Sequence, residues 1–143
     1  MRVHPVGLLG IMGFVSIDPD DPRARKDNRH AITQAGMGFL LESTARYWEM
    51  ERRLNKTEVH VAEYRFDGRV CIRIETVHPD RNAGAFYAYR CVMYVDKATH
   101  LPVRVEAYDW PRQGGADGGD LLECYGYLHL RTNIRLDDAI FDH

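Results

Sequence analysis

From Thr57 to Asp109 the chain alternates apolar and polar side chains with a period of two, interrupted wherever turn residues stand. Residues 57–66 and 69–78 flank Asp67-Gly68, a dipeptide suited to the positive φ values of a two-residue hairpin turn. That turn sets a register in which Phe66 faces Arg69, Val61 faces Ile74 and Val59 faces Thr76. Val59, Val61, Val70, Ile72 and Ile74 then share one face, and His60, Tyr64, Arg69, Arg73 and Glu75 share the other. The first face is expected to be buried and the second wet or partly covered, the habit of an antiparallel sheet.

The pattern continues beyond this hairpin. His78 to Gly84 has turn chemistry, and AFYAYRCVMYV alternates as a third strand. A turn centred near Arg81 sets Thr76 opposite Phe86, Ile74 opposite Ala88 and Cys71 opposite Cys91. In that register the α-carbons of Cys71 and Cys91 fall within the span a disulfide tolerates, about 4.4–6.8 Å, with Cys124 left free on the inner face. Leu101 to Asp109 makes a fourth strand, with Val103, Val105 and Ala107 on one side and Arg104, Glu106 and Tyr108 on the other. After the loop WPRQGGADGG, the segment LLECYGYLHL makes a fifth, with Leu122, Cys124, Gly126, Leu128 and Leu130 on one face and Glu123, Tyr125, Tyr127 and His129 on the other. Short connections predict a sheet order that follows the chain.

Ahead of the sheet the period changes to that of a helix. Met37, Leu40, Leu41, Thr44, Tyr47, Trp48 and Leu54 recur at three- and four-residue spacing, predicting a helix from about Gln34 to Leu54 with Thr33 as its N-cap. At 1.5 Å per residue it is roughly 30 Å long, enough to cross several strands. The expected fold is α+β: a curved antiparallel meander of about five strands, a half β-barrel, with one long helix over its concave face, packed on Val61, Ile72, Ile74 and Val105. Residues 1–32 are expected to be an irregular N-terminal segment, 33–55 the helix and 57–131 the sheet, all within one domain.

Composition narrows the function. The 143 residues suit one domain with a real core. With 19 Lys and Arg against 21 Asp and Glu, the net charge is −2, which provides no broad electrostatic footprint for nucleic acid. The apolar stretch VGLLGIMGFV is too short to span a bilayer, and its three glycines, Pro5 and missing small-x-small site argue against a signal peptide. An irregular apolar segment that packs on the domain is the expectation. SIDPDDPRARKDNRH follows as a polar loop that lacks the glycine and bidentate acid of a calcium loop.

Catalytic and metal chemistry find little support. Seven histidines, at 4, 30, 60, 78, 100, 129 and 143, are scattered without the short ligand pairs of a zinc site, and exposed turn or strand positions are expected for them. No G-x-S-x-G elbow, phosphate loop or dinucleotide fingerprint is present. Cysteines in mid-strand are packing residues unless a base lies beside them. Glu75 and Glu106 are expected to pair with Arg73 and Arg104 at the surface. No enzyme activity, no catalytic residue, no metal and no cofactor is expected.

Two resemblances add to this. YVDKATHLPVRVEAYDW resembles the strand, turn and strand of the bacterial lipoprotein-localisation-factor superfamily, and LDDAIFD is similar to that superfamily's C-terminal ending. More closely, IDPDDP, DNRHAIT, ETVHPDR, YRCVMYVDK and EAYDWPR together resemble a bacterial domain-of-unknown-function family (number 1571) of envelope proteins with this fold. The resemblance covers nearly the whole chain. It implies a half-barrel in the periplasm or cell envelope whose concavity holds lipid or lipoprotein acyl chains. Family members carry a signal peptide and further strands before the point that corresponds to Met1, so the chain is expected to be the C-terminal part of a larger half-barrel. The expected function is non-catalytic binding of an apolar ligand under the helix, between Leu40, Leu41, Tyr47 and Trp48 and the sheet residues Ile72, Ile74, Phe86 and Val105. The alternative is an envelope domain with a closed core and no ligand, which binds a protein partner through its Tyr and Arg face.

Overall fold

Asp67 and Gly68 take φ values of 50° and 73° and close the hairpin that organises the sheet. In this computed structural model the described residues are 2–3, 15–16, 18, 21–22, 30, 34, 36–81, 86–112, 118–137 and 139. They divide into two compact units, Met1–Glu49 and Met50–His143, with the boundary inside a helix.

In the first unit, β1 (Arg2–Val3) pairs antiparallel with β2 (Val15–Ser16), a short ladder within the segment expected to be irregular. The helix α1 spans Met37–Leu54. It starts three residues later than the periodicity predicts, because Gly36 has a φ of 105° and stands outside the helix while its carbonyl accepts the first helical bond from Leu40 N at 3.2 Å. Thr33, the expected N-cap, lies outside the described residues. At the other end Asn55 takes the left-handed conformation, φ 50°, that terminates helices.

The second unit holds a five-stranded antiparallel sheet: β3 (Glu58–Phe66), β4 (Arg69–Val77), β5 (Arg90–Asp96), β6 (Pro102–Tyr108) and β7 (Leu121–Gly126), in that order. The chain is thus α+β with an open meander, the half-barrel topology that the strand pattern predicts. The first hairpin has the predicted register: Phe66 opposite Arg69, Val61 opposite Ile74, Val59 opposite Thr76.

The second hairpin does not. Thr76 stands opposite Cys91 rather than Phe86, Ile74 opposite Met93 rather than Ala88, and Cys71 opposite Asp96 rather than Cys91. The slip is five residues, and its cause lies at the end of β4. His78 N donates to Tyr89 O at 2.7 Å, the His78 ring stacks on Phe86, and its Nδ1 bonds Ala88 O, so residues 86–89 fold against the strand end instead of extending the third strand. Five is odd, so the slip also exchanges the faces of β5. Cys71 and Cys91 end on opposite faces, about 16 Å apart along the strand direction, far outside disulfide range. All three cysteines are free thiols, and Cys124, opposite Glu106, lies on the face of Cys71 rather than that of Val105.

Burial corrects the sequence expectation as well. The core cluster of Cys71, Val92, Tyr94 and Val103, with Phe66, Tyr108 and Leu130 packed against it, draws Cys71, Val92 and Tyr94 from the face expected to be wet. The rings of Phe66, Tyr94 and Tyr108 supply apolar area while the charged groups on this face pair with one another.

Candidate functional site

The other face of the sheet carries a row that crosses all five strands: Val61 opposite Ile74, Ile74 opposite Met93, Met93 opposite Val105, and Val105 opposite Tyr125. Beside it Ile72 stands opposite Val95. Strict alternation in β3 to β6 builds this surface, because residues two apart on a strand point the same way. The surface is unevenly covered. Met93 is buried and Val105 half-buried, whereas Val59, Val61 and Ile72 are 58%, 66% and 38% exposed. Three large apolar side chains open to solvent on two adjacent strands form a patch of the kind that marks a binding surface.

Of the residues expected to line a ligand site, Ile72, Ile74 and Val105 share this face. Phe86 does not. It lies in the β4–β5 connection, buried, with its ring centroid 4.3 Å from that of His78 and the planes 13° apart. Leu40, Leu41, Tyr47 and Trp48 belong to the part of α1 in the first unit, where Leu40 is half-buried and the other three are exposed.

Sequence reasoning missed the buried pair at the end of β4. His78 is 1% exposed, contrary to the expectation of an exposed turn histidine, and Glu51, from the last turns of α1, is 8% exposed. His78 Nε2 lies 3.1 Å from Glu51 Oε1, within ion-pair distance but out of line for a hydrogen bond. His78 Nδ1 is 2.7 Å from Ala88 O. Burial pulls the His78 pKa down, but the Glu51 carboxylate and the Ala88 carbonyl outweigh it and leave the imidazole above its ordinary range. Nearby, the Cys91 thiol is pushed up to about 12, first by burial and then by the carboxylates of Glu51 and Glu123. At neutral pH it is a thiol rather than a nucleophilic thiolate. Among the described residues no group of three His, Cys, Asp or Glu is placed to hold a metal ion.

The core-bearing face holds a ladder of alternating charge. Arg73 and Arg90 reach the two oxygens of Glu75 at 3.0 and 3.2 Å, Arg104 Nε donates to Glu106 at 2.6 Å, and Tyr108 OH donates to the other Glu106 oxygen at 2.8 Å. Arg90 lies over the Tyr108 ring at 3.9 Å. The expected Arg73–Glu75 and Arg104–Glu106 pairs are therefore present, not at the surface but with Glu106 buried and the other three half-buried, and they are joined through Arg90 and Tyr108. Each charge here is spent on another within the same face, which leaves little for a charged ligand.

A family model described as protein of unknown function (DUF1571) matches residues 1–143. The chain belongs to the DUF1571 family. Searches of curated proteins and of solved structures returned no match. The segments that resemble the family occupy particular places in this DUF1571 chain. ETVHPDR carries the buried His78 at the end of β4, YRCVMYVDK is β5 and its turn, and EAYDWPR leads from β6 into Trp110, whose ring lies 5.3 Å from the Arg81 guanidinium. Among the described residues no helix is long and apolar enough to cross a membrane.

Proposed function

We propose that this domain binds an apolar chain, a lipid or a lipoprotein acyl chain, without catalysis, in the bacterial cell envelope or periplasm. The observation that carries the reading is the exposure of Val59, Val61 and Ile72 on the face that continues through Ile74, Met93 and Val105. The resemblance to lipoprotein-localisation factors supports it from the sequence side. The ligand surface is the sheet face of the second unit, with Ile72, Ile74 and Val105 from the expected set and Val59, Val61 and Met93 added; Phe86 is occupied with His78. Each methylene that leaves water contributes about 0.8 kcal/mol, so roughly eight or nine offset an association cost of several kcal/mol.

Val61→Glu sets a charge on this surface, while Ala62→Glu sets the same charge on the opposite face of the same strand. Binding of a fluorescent fatty acyl probe is expected to weaken about tenfold or more in the first variant and to stay at the wild-type level in the second. Solvent extraction of the purified protein, followed by mass spectrometry, identifies any lipid that travels with it. A folded wild-type protein with no saturable probe binding and no co-purified lipid overturns the reading in favour of a partner-binding domain.

A further inference from the structure

We propose that Glu51 and His78 form a proton-dependent latch that fastens the last turns of α1 to the β4–β5 connection, closed while the imidazole carries both protons and released when it loses one. The inference concerns the second unit alone and is independent of what the sheet face binds.

His78 is held against the β4–β5 connection. Its backbone N donates to Tyr89 O at 2.7 Å and its ring stacks on Phe86. Its Nδ1 lies 2.7 Å from Ala88 O, and because a carbonyl only accepts, Nδ1 carries a hydrogen in either charge state. The proton that comes and goes is therefore the one on Nε2, and Nε2 faces Glu51 Oε1 at 3.1 Å. With that proton present, a cation faces a carboxylate. Without it, a lone pair faces a carboxylate at the same distance, and both groups are buried. A buried carboxylate without a partner is costly, so the last turns of α1 are driven to move and return Glu51 to water.

Among the described residues His78 is the basic group within ion-pair distance of Glu51. From α1 the facing group is Glu51; from the β4–β5 connection they are the Ala88 and Tyr89 backbone and the Phe86 ring. From β5 comes the Cys91 thiol, which feels the carboxylates of Glu51 and, from β7, Glu123. All of these disfavour further negative charge. The raised pKa of His78 places the release above the ordinary imidazole value of about 6.5.

The test uses the full chain. Amide hydrogen exchange, corrected for intrinsic rates, is followed for residues 50–55 from about pH 5.5 to about pH 9, beside an NMR titration of the His78 ring. Protection of 50–55 is expected to fall several-fold as the pH rises, with the midpoint of the His78 titration, while protection in β5 stays level. Glu51→Gln keeps the size of the side chain and is expected to lower the His78 midpoint and abolish the pH dependence at 50–55. Level protection across the range in the wild type, or the same pH dependence in Glu51→Gln, overturns the latch. Should Glu51→Gln fail to fold, coincidence of the two wild-type midpoints decides: separate midpoints overturn it and a shared one supports it.

Discussion

Arg69 Nη1 lies 2.8 Å from Asp96 Oδ2, and through that bond the first hairpin holds the turn between β5 and β6. Asp96 also accepts from Ala98 N at 3.1 Å and from Thr99 Oγ1 at 2.9 Å, so one buried carboxylate shapes the Asp-Lys-Ala-Thr turn from within. Arg69 Nη2 donates to Leu130 O at 2.6 Å, which draws the chain after β7 to the same end of the sheet.

Asp96→Ala is accordingly expected to destabilise the domain by about 3 kcal/mol or more, since it removes three bonds and the carboxylate that faces Arg69 Nη1. Urea denaturation with a shift in midpoint and an unchanged slope is the signature of that loss. Lys97→Ala, which removes only the exposed pair to Glu63, is expected to leave the urea midpoint almost unchanged.

Acid should weaken the charge ladder at Glu75. The Arg73 guanidinium, then that of Arg90, holds its carboxyl below the usual range, against the effect of burial. A depressed folded pKa means that the stabilisation is complete above the ordinary carboxylate value, about 4.3, and is lost as the pH falls through the folded value. Stability measured below about pH 4.3 is expected to fall less steeply in Glu75→Gln than in the wild type. Identical slopes would exclude the ladder as a source of acid sensitivity.

The three thiols should differ in reactivity. Cys124 is exposed, Cys71 is fully buried, and Cys91 remains a thiol to about pH 12. Under native conditions at neutral pH a maleimide is expected to label Cys124 first, with Cys71 and Cys91 slower by about tenfold or more. Peptide mapping after air oxidation should find no Cys71–Cys91 bridge.

Gly119 has a φ of 81°, and a β-carbon built there would collide with the Asp109 carbonyl oxygen. Gly119→Ala is expected to cost about 2–3 kcal/mol, whereas Gly68→Ala, with open space around it, should cost only about 1 kcal/mol for its left-handed backbone. Thermal melts of the two variants side by side separate the steric part from the conformational one.

What was legible in the sequence was local. Asp67-Gly68 determines its hairpin because a two-residue turn leaves one register, and the Arg-x-Glu spacing on β4 and β6 determines its ion pairs because residues two apart share a face. The β4–β5 register was not legible, since it depends on His78 bonding Ala88 and Tyr89 rather than on any turn dipeptide. His78 itself looks like an ordinary turn histidine before Pro79; only the approach of Glu51, 27 positions earlier, reveals its burial. The location of the core was misjudged for a related reason. Alternation shows which residues share a face but not which face is covered, and aromatic rings beneath paired arginines made the more polar face of the sheet the better packed one.

Because every strand of the sheet pairs with its neighbour in the chain, the meander is a series of successive hairpins. It can therefore zip from the β3–β4 hairpin outward, each new strand adding to a template already formed. Arg69 with Leu130, and Asp67 with the backbone N of His129 at 2.8 Å, join the first hairpin to the segment after the last strand. These bonds form only after the whole sheet has left the ribosome. They act as a late clasp, so their loss should speed unfolding while leaving the folding rate almost untouched.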